Sequence, residues 1–553
     1  MSPAGALRII PLGGLGEFGL NCTVLESGED LLVLDAGLMF PTEDFLGVEI
    51  VVPDLSYIAE RRDRVRGVVL THGHEDHIGA VPFLAPLVSC PIYGSPLTIG
   101  FTADRLRDSR PGHRAELVAV RDRESISAGP FEVEFLPVTH SIPDAFALAI
   151  RTPAGTILHT SDFKLDPTPV DGRLTDMERI GHLGDEGVRL MLLDSTNAPV
   201  RGATPSEREV GRNLSRIFRE AQGRIFVTCF ASNIHRVQQI IDLAASHGRK
   251  VALAGRSLNQ AAETAISLGR LGMPPGARVE SRRVMDLPAR EAVVIASGSQ
   301  GEPLSAMMRI ALDEHAEISL ERGDIVIVSS RAIPGNEMSV ARMLDHLYRR
   351  GADVVSGPDG AFHVSGHASQ DDLKEMLLLA RPETVIPVHG SYRHLAECAR
   401  VAEDLPSPPR QVLVAETGDI IELDGGRARL AGRAPVGRVH IDEELEEVEE
   451  IVLRDRRRLS ADGIVLPVLL LDRADGTLAS PPVVVSRGFS PLEGKAKLQQ
   501  EVGGVVASTV QAAGKEAAGD RNVIKSKVAA DLKRFLRNRT GRRPLILPVI
   551  VEV

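Results

Sequence analysis

The sequence predicts an α/β protein of several domains, in which a parallel α/β domain is inserted into a host domain and a small α+β domain follows. Three observations support this prediction. The chain has 553 residues, too many for one hydrophobic core. Short apolar runs that end in polar residues occupy the first 195 residues and return after residue 355. Between them, helical segments alternate with apolar strands, as in βαβ units.

The host domain is predicted from short buried strands whose polar residues gather at strand ends. These strands include LLVLDAG at 31–37, VRGVVLTHGH at 65–74 and TILHTSDF at 156–163. In the insertion, the helical segment EREVGRNLSRIFREAQ precedes the strand RIFVTCF, and the strands KVALAG, EAVVIAS and DIVIVSS follow. The predicted boundaries are 1–200 and 356–430 for the host domain, 201–355 for the insertion, 431–460 for a linker and 461–553 for the C-terminal domain.

The C-terminal domain is predicted to be of the α+β class. It contains the apolar segments IVLPVLLL and PPVVVS, a stretch compatible with helix at 507–538, and the terminal strand PLILPVIVEV. The preceding acidic run, IDEELEEVEE at 441–450, is typical of a solvated face or a linker.

Composition argues against a membrane protein, a disulfide-rich protein and a protein with a thiolate zinc site. Hydrophobic residues make up 43% of the chain, but no stretch approaches the roughly 18 apolar residues that a membrane helix needs. The N-terminal residues lack a basic segment followed by an apolar one, so we expect a cytoplasmic protein with no membrane partner. Four cysteines without CxxC spacing argue against disulfides and thiolate zinc sites. The formal net charge of -11 opposes nucleic acid binding unless positive charge or metal ions concentrate at a site.

The strongest local signal is the segment THGHEDHIGA, in which His72, His74, Asp76 and His77 follow the apolar strand GVVL. Alternate residues His72 and His74 can converge on one metal ion while Asp76 and His77 face a second ion. The chain has only 16 histidines, so such a cluster rarely arises by chance. Imidazole and carboxylate ligands without sulfur suit zinc or manganese, in a site that keeps one position open for water.

Further ligands are expected at other strand ends. His140, Asp162 and His389 end the apolar segments FEVEFLPVTH, TILHTSDF and TVIPVHG, respectively. Taken alone, each is more often an ordinary core residue. Three of them in succession behind the histidine motif favour metal ligands instead.

This pattern resembles the metallo-β-lactamase superfamily over residues 8–425. The resemblance implies an αββα sandwich for the host domain and two bound divalent ions, zinc or manganese or both. It assigns one ion to His72, His74 and His140, the other to Asp76, His77 and His389, and a bridging position to Asp162. Asp35 in LLVLDAG matches the family's first motif and would orient a ligand imidazole by accepting its second N–H.

The metal motif alone does not identify the substrate class, because it occurs with several chemistries. The insertion indicates which substrate class to expect. Asp194 in MLLDSTN, His367 in HVSGHAS and His389 in IPVHG match three motifs of the β-CASP group of nucleic-acid-processing enzymes. In that group, a histidine at the position of His389 marks RNA-cleaving members, whereas DNA-repair members carry valine there. The small C-terminal domain and the lack of an RRM-like or KH-like pattern make the ribonuclease J family the best resemblance.

That resemblance implies a two-metal phosphodiesterase, a 5′-to-3′ exoribonuclease that prefers RNA with a 5′ monophosphate and also has endoribonuclease activity. Its expected roles are RNA maturation and decay, including rRNA processing and mRNA decay. The expected partners are single-stranded RNA, a second copy in a homodimer and proteins of RNA-degradation complexes. Asp76 would accept a proton from the attacking water or orient it, while Asp194 and His367 complete the catalytic set and His367 would protonate the departing 3′ oxygen.

Loops that follow strands are candidate phosphate sites, because their free N–H groups can bind oxyanions. The candidates are Ser232 and Asn233, Ser297, Gly298 and Ser299, and His363, Val364, Ser365, Gly366 and His367. Ordinary βα turns are the alternative for the first two groups. For the third, the alternative is that Ser365 and Ser369 are only helix caps and that His363 and His367 only orient metal ligands.

Several other interpretations remain open at the level of sequence. The family resemblance implies a structural calcium at Gly47, Glu49 and Asp442, but we favour surface carboxylates without an ion there. A β-CASP DNA nuclease is the nearest alternative function. A small-molecule thioesterase or lactonase leaves an insertion of roughly 160 residues unexplained, and a non-catalytic RNA-binding scaffold is disfavoured because no expected ligand is missing.

Overall fold

The structure is a computed structural model. It describes residues 6–41, 45–109, 114–333, 335–357, 362–424, 427–473, 476–492, 496–517 and 521–553, with the side chains of 514–517 outside that description. The chain forms two compact units, residues 1–40 with 51–439 and residues 41–50 with 440–553. Within the described ranges, no helix has both the length and the apolar character that a bilayer span requires.

Two large sheets of the first unit face each other across a shared core. Leu32 and Val69 from one sheet and Phe135 and Leu148 from the other belong to the same buried cluster. The eight-stranded sheet has the spatial order Arg427–Arg433, Asp419–Asp424, Leu7–Gly13, Cys22–Ser27, Asp30–Leu34, Val65–Val69, Ile92–Gly94, Leu117–Ala119. The seven-stranded sheet has the order Gln411–Val412, Thr384–Val388, Val188–Asp194, Gly155–His159, Phe146–Thr152, Phe131–Pro137, Ser125–Ala128.

Helices cover the outer faces of this sandwich. On the seven-stranded sheet, Leu158 and Met191 pack in a cluster with Ile180 and Leu373 of the covering helices. The covering helices are Met177–Glu186, Gln370–Ala380 and Tyr392–Glu403 on that sheet and Pro96–Ser109 on the other. Shorter elements of this part are the helices Ser56–Ala59, Glu75–Ile78 and Val81–Leu84, the 3-10 turns Arg62–Arg64 and Ala85–Leu87, and the strands Leu15–Gly16, Ile50–Pro53, Gly390–Ser391 and Arg438–Ile441.

A further sheet, fully parallel, is formed by the part of the chain that separates the two halves of the host domain in the sequence. Phe226, Val294 and Val326 of its strands pack with Met307 and Met343 of its helices. Its strands, in spatial order, are Lys250–Ala254, Ala292–Ala296, Ile225–Thr228, Ile325–Val328 and Asp353–Val355. Its helices are Glu207–Glu220, Ile234–Ser246, Arg256–Ser267, Ser281–Val284, Ala306–Leu312 and Glu337–Arg349, with a 3-10 turn at Ala289–Glu291. The predicted fold class, a sandwich with an inserted parallel α/β domain, is confirmed.

The second unit combines a small sheet with helices, as predicted for the α+β class. Val465 and Leu469 of its central strand pack in one cluster with Val506 and Leu532 from two long helices. The strands are Ile464–Leu471, Val483–Arg487, Leu545–Ile546 and Val549–Glu552. The helices are Glu450–Asp462, Ala496–Ala517 and Arg521–Thr540.

The segment predicted as a linker, 431–460, contains regular structure. Strand Arg438–Ile441 and most of helix Glu450–Asp462 lie within it, and the second unit begins at 440 rather than at 461. The sequence analysis did not predict this helix. Leu453 is the one buried residue within it, so the helix shows little apolar periodicity. The other predicted boundaries stay predictions.

Candidate metal centre

Strand topology brings three of the expected residues to one edge of the seven-stranded sheet. Strands Gly155–His159, Val188–Asp194 and Thr384–Val388 are parallel neighbours. Their carboxyl ends therefore reach the same edge, the usual position of a site in such sheets. Asp162 and His389 follow the first and third of these strands within a few residues, and Asp194 ends the second.

The eight-stranded sheet positions the histidine motif in the same way. Strands Asp30–Leu34 and Val65–Val69 are parallel neighbours, so Asp35 lies beside the loop that starts at Thr71. The Asp35 carboxylate accepts hydrogen bonds from the Thr71 backbone N–H at 2.8 Å and from His77 Nδ1 at 2.8 Å. The second bond leaves His77 Nε2 facing the other ligands.

Three imidazoles converge on one point. His74 Nδ1 lies 3.0 Å from His72 Nε2 and 3.1 Å from His140 Nε2. His140 donates its Nδ1–H to the Gly366 carbonyl at 2.7 Å, so the neutral ring turns a lone pair on Nε2 toward the other two rings. Nitrogen ligands of one tetrahedral zinc ion stand about 3.3 Å apart, given Zn–N bonds of about 2.0–2.1 Å. The donor set and its spacing therefore fit a divalent cation.

A second group of ligand atoms adjoins the first. His77 Nε2 lies 3.2 Å from Asp162 Oδ2, and His389 Nε2 lies 3.3 Å from Asp76 Oδ2. Asp162 belongs to both groups, with Oδ2 3.6 Å from His72 Nε2. In each group the possible ligand atoms lie within 4.8 Å of one another. The structure thus brings together all seven residues that the sequence predicts as ligands, with Asp162 between the two groups.

His367 and Asp194 form a pair at the edge of this cluster, and with Asp162 and His389 they make a third group of possible ligand atoms. His367 Nδ1 lies 2.9 Å from Asp194 Oδ2 and 3.9 Å from Asp162 Oδ2. Asp194 is almost fully buried, whereas the His367 side chain is 19% exposed. The imidazole therefore faces the open side of the site while its carboxylate partner is enclosed.

Burial and neighbouring charges give the histidines different protonation states. Burial lowers the pKa of His72 and His140 well below the ordinary value and that of His74 to about 4, so these rings are neutral, as metal ligands must be. Burial also disfavours charge on His389, but Asp162 and Asp76 outweigh it and raise its pKa to about 10. This ring would therefore have to release a proton in order to bind a metal ion.

The two carboxyl groups of the cluster, Asp162 and Asp76, have lowered pKa values. Burial alone raises a carboxyl pKa, but His389 and His77 hold the pKa of Asp162 well below its ordinary value, and the same two residues lower that of Asp76. The Asp76 side chain is 35% exposed, whereas that of Asp162 is 3% exposed. Asp76 is therefore the ionised candidate ligand that solvent can reach.

Two residues of the cluster hold the backbone in the left-handed region. Asp35 has φ 59° and His389 has φ 58°. Such conformations cost non-glycine residues about 1–3 kcal/mol each and concentrate at functional sites.

Glycine is required at 366, because a Cβ there would lie 2.7 Å from His140 Cε1.

The predicted phosphate loops lie at the carboxyl edge of the parallel sheet. Ser297 and Ser299 are buried, and Gly298 between them has φ 102°. Asn233 is also buried, and its side chain accepts the Arg236 backbone N–H at 3.0 Å as a helix cap. Ser232, one residue earlier, is only half-buried.

The last candidate loop runs from His363 to His367 beside His140. Val364 is buried, and Ser365 Oγ accepts the His367 backbone N–H at 3.1 Å. His363 is half-buried. Ser369 is a helix cap, as one interpretation of the sequence expected.

The residues considered for calcium have other partners. The Gly47 carbonyl accepts a hydrogen bond from Arg456 at 3.1 Å. Asp442 Oδ1 accepts the backbone N–H of Glu444 at 3.0 Å and that of Glu446 at 2.9 Å. The clusters of possible ligands found in the described part of the chain do not include Glu49 or Asp442.

Sequence reasoning missed several residues that hold the site in place. Asn21 donates to the Asp76 backbone carbonyl at 3.1 Å. Asn197 donates to Ser369 Oγ at 2.8 Å, and Thr204 Oγ1 donates to the His367 carbonyl at 2.8 Å. Asn197 belongs to the segment MLLDSTN and was within reach of motif analysis. Asn21 and Thr204 lie outside any motif.

Comparison with known proteins decides the family. The description "Ribonuclease J, beta-CASP domain" matches residues 222–347, and "Ribonuclease J C-terminal domain" matches 451–553. "Metallo-beta-lactamase superfamily" matches 15–201. A ribonuclease J from Thermus thermophilus is 40% identical over 569 aligned residues, which cover 100% of this chain and 96% of that protein. The chain belongs to the ribonuclease J family.

Other ribonuclease J proteins are similar to this chain over most of its length. Ribonuclease J2 of Bacillus subtilis is 37% identical and covers 99% of both chains, and ribonuclease J of Synechocystis is 42% identical over 87% of this chain and 76% of that protein. "Zn-dependent metallo-hydrolase RNA specificity domain" matches residues 361–408, which contain His367 and His389. A solved protein of unknown function from Enterococcus faecalis shares the fold, with TM-score 0.54 at 17% identity over 76% of this chain and 100% of that chain.

Proposed function

We propose that this member of the ribonuclease J family is a two-metal phosphodiesterase that degrades single-stranded RNA. It removes nucleotides in the 5′-to-3′ direction from RNA with a 5′ monophosphate and also cleaves RNA internally. The observation that supports the proposal is the convergence of imidazoles and carboxylates in adjoining groups that share Asp162.

In this proposal, His72, His74 and His140 hold one divalent ion, Asp76, His77 and His389 hold the other, and Asp162 contacts both. Imidazole with carboxylate and no thiolate suits zinc or manganese. When bound, the two ions activate water and neutralise charge on the phosphodiester. Asp35 and the Gly366 carbonyl fix the rings of His77 and His140 through their Nδ1 atoms, so both rings are aligned before substrate arrives.

We assign proton transfer to two residues. Burial disfavours charge on His367, but Asp194 and Asp162 raise its pKa above the ordinary value. A protonated His367 can donate from Nε2 to the departing 3′ oxygen while Asp194 retains Nδ1. Asp76 is ionised and open to solvent, so it can accept a proton from the attacking water or orient it.

The 5′-phosphate site is assigned to the loops at the carboxyl edge of the parallel sheet. Strands Ala292–Ala296 and Ile225–Thr228 are parallel neighbours, so Ser297, Gly298 and Ser299 lie beside Ser232 and Asn233. The residues from His363 to His367 connect this edge to the metal centre, because Gly366 contacts His140. A terminal phosphate bound here would place the first phosphodiester near the ligands.

We extend the proposal to oligomeric state and cellular setting. One face of the sheet in the second unit is apolar and open: Leu466 pairs with Val485 and Val468 with Val483, and Val483 is 57% exposed. Exposed apolar faces of this kind support association, so we propose a homodimer formed partly through this unit. We place the enzyme in the cytoplasm, in RNA maturation and decay, alone or within RNA-degradation complexes.

The test uses purified protein with zinc or manganese and four substrates of one sequence: 5′-monophosphorylated RNA, 5′-hydroxyl RNA, circular RNA and 5′-monophosphorylated DNA. We expect nucleotides to be released from the 5′ end of the first substrate and slower internal cleavage of the circle. His77→Ala, which removes one ligand, should abolish both activities while RNA binding persists. Cleavage of DNA in preference to RNA would support the DNA nuclease, and RNA binding without cleavage by the metal-loaded wild type would support a scaffold.

A further inference from the structure

Arg236 has a buried guanidinium that joins separate parts of the inserted domain. The side chain is fully buried and lies in the first turn of helix Ile234–Ser246. Its Nε donates to Glu207 Oε1 at 2.6 Å. Its Nη1 donates to the Ser329 carbonyl at 3.2 Å and to the Phe362 carbonyl at 2.7 Å.

The acceptors of Nη1 define what Arg236 holds. Ser329 follows strand Ile325–Val328, and its backbone N–H donates to the Thr228 carbonyl at 2.8 Å. Ser329 Oγ also donates to the Phe362 carbonyl at 2.6 Å. Phe362 directly precedes the loop His363–His367. Arg236 therefore fixes the start of that loop against the carboxyl edge of the parallel sheet.

The Nε side of the guanidinium is linked through Glu207 to the segment that follows Asp162. The Glu207 backbone N–H donates to Asp166 Oδ2 at 3.0 Å, and Lys164 Nζ lies 3.6 Å from the same carboxylate oxygen. Lys164 is almost fully buried and lies two residues after the ligand Asp162. A continuous series of polar contacts thus runs from the segment after Asp162 to the start of the phosphate loop.

Stability alone does not account for this arrangement. Arg236 Nη2 is buried without a hydrogen-bond partner within the described parts of the chain. Buried ion pairs are often no more stable than well-packed apolar residues of the same volume, and a buried donor without a partner is a further cost. Departures of this kind from good packing concentrate at functional sites.

We propose that Arg236 is a positioning residue that sets the distance between the 5′-phosphate loop and the metal centre, and thereby gives preference to 5′-monophosphorylated ends over internal sites. This inference rests on the proposed function. When the loop holds the 5′ phosphate of the RNA at this fixed distance, the first phosphodiester lies at the metal ligands. Internal cleavage uses the far end of this loop, His367 and the Gly366 carbonyl, but it needs no 5′ phosphate bound near the start of the loop. It therefore depends less on the contact between Arg236 and Phe362.

The experiment compares Arg236→Lys and Arg236→Met with wild type on 5′-monophosphorylated linear RNA and on circular RNA of the same sequence. Arg249→Lys is the matched control, because Arg249 is also buried but donates to the carbonyls of Ala221 at 2.6 Å and Gly223 at 3.0 Å, away from the loop. Ser329→Ala, which removes the hydroxyl shared with Phe362, is a milder variant that tests the same contact if the arginine variants do not fold.

We expect the ratio of kcat/KM on the linear substrate to that on the circle to fall at least about tenfold in the Arg236 variants, since small misplacements cost large factors in rate. Ser329→Ala should lower the ratio by a smaller factor, and Arg249→Lys should leave it unchanged. Equal losses on both substrates, or an unchanged ratio, would overturn the inference. Absence of RNA cleavage by the wild type would instead refute the proposed function.

Discussion

Gly366→Ala should disturb the metal centre by displacing His140. A Cβ at this position would lie 2.7 Å from His140 Cε1 and 2.9 Å from Nδ1, whereas ordinary contact begins at 3.4 Å. The ring or the loop must therefore move by about 0.5–0.7 Å. The same residue supplies the carbonyl that accepts His140 Nδ1 at 2.7 Å, so the ring loses its orientation together with its space. Changes to groups that orient metal ligands cost about 10- to 100-fold in affinity or activity, and we expect a loss in that range.

The assay measures kcat/KM on 5′-monophosphorylated RNA together with bound metal per chain by elemental analysis. Gly504→Ala is the control, because a Cβ there meets nothing within 4 Å and alanine favours helix by about 1 kcal/mol. We expect the control to retain full activity and metal. Full activity and full metal content in Gly366→Ala would refute the assignment of His140 as a ligand held by this carbonyl.

Other perturbations test separate parts of the site. Asp35→Asn should lower kcat/KM by about 10- to 100-fold with RNA affinity near wild type; an unchanged rate would show that His77 does not need this partner. His367→Ala should slow cleavage while elemental analysis finds normal metal content, and loss of metal would make it a ligand instead. Removing metal with a chelator should abolish cleavage and lower Tm, with both restored by manganese or zinc; cleavage that survives complete removal would contradict the proposal. Burial opposes ionisation of Glu207, but Arg236 and Lys164 hold its pKa below 4.5, so its stabilisation is present above pH 4.5 and is lost as pH falls through the folded-state pKa. The difference in free energy of unfolding between wild type and Glu207→Gln, from urea titrations, should therefore shrink below pH 4.5, and a constant difference would refute this.

The sequence predicted the sheets and the residues that converge at the candidate metal centre, because the same rule governs both. Buried strands are continuous apolar runs, and polar residues directly after them must lie at a sheet edge. His389 after TVIPV and Asp162 after TILHT followed from this rule. The local sequence does not show which strands are neighbours in a sheet. The structure was therefore needed to show that His389 and Asp162 converge.

Features that depend on distant contacts were not predictable. The sequence does not single out Arg236, and only the structure shows its contact with Phe362, 126 residues later. Similarly, helix Glu450–Asp462 has distant partners, because its Arg456 donates hydrogen bonds to the carbonyls of Leu46 and Gly47. Neither pairing leaves a periodic signal in the chain.

The most direct test of the central claim is a crystal structure of the metal-loaded protein with anomalous diffraction measured at the zinc and manganese absorption edges. The proposal predicts two peaks, one bounded by His72, His74 and His140 and the other by Asp76, His77 and His389, with Asp162 between them. Full occupancy of a single peak, or peaks away from Asp162, would contradict a two-metal centre.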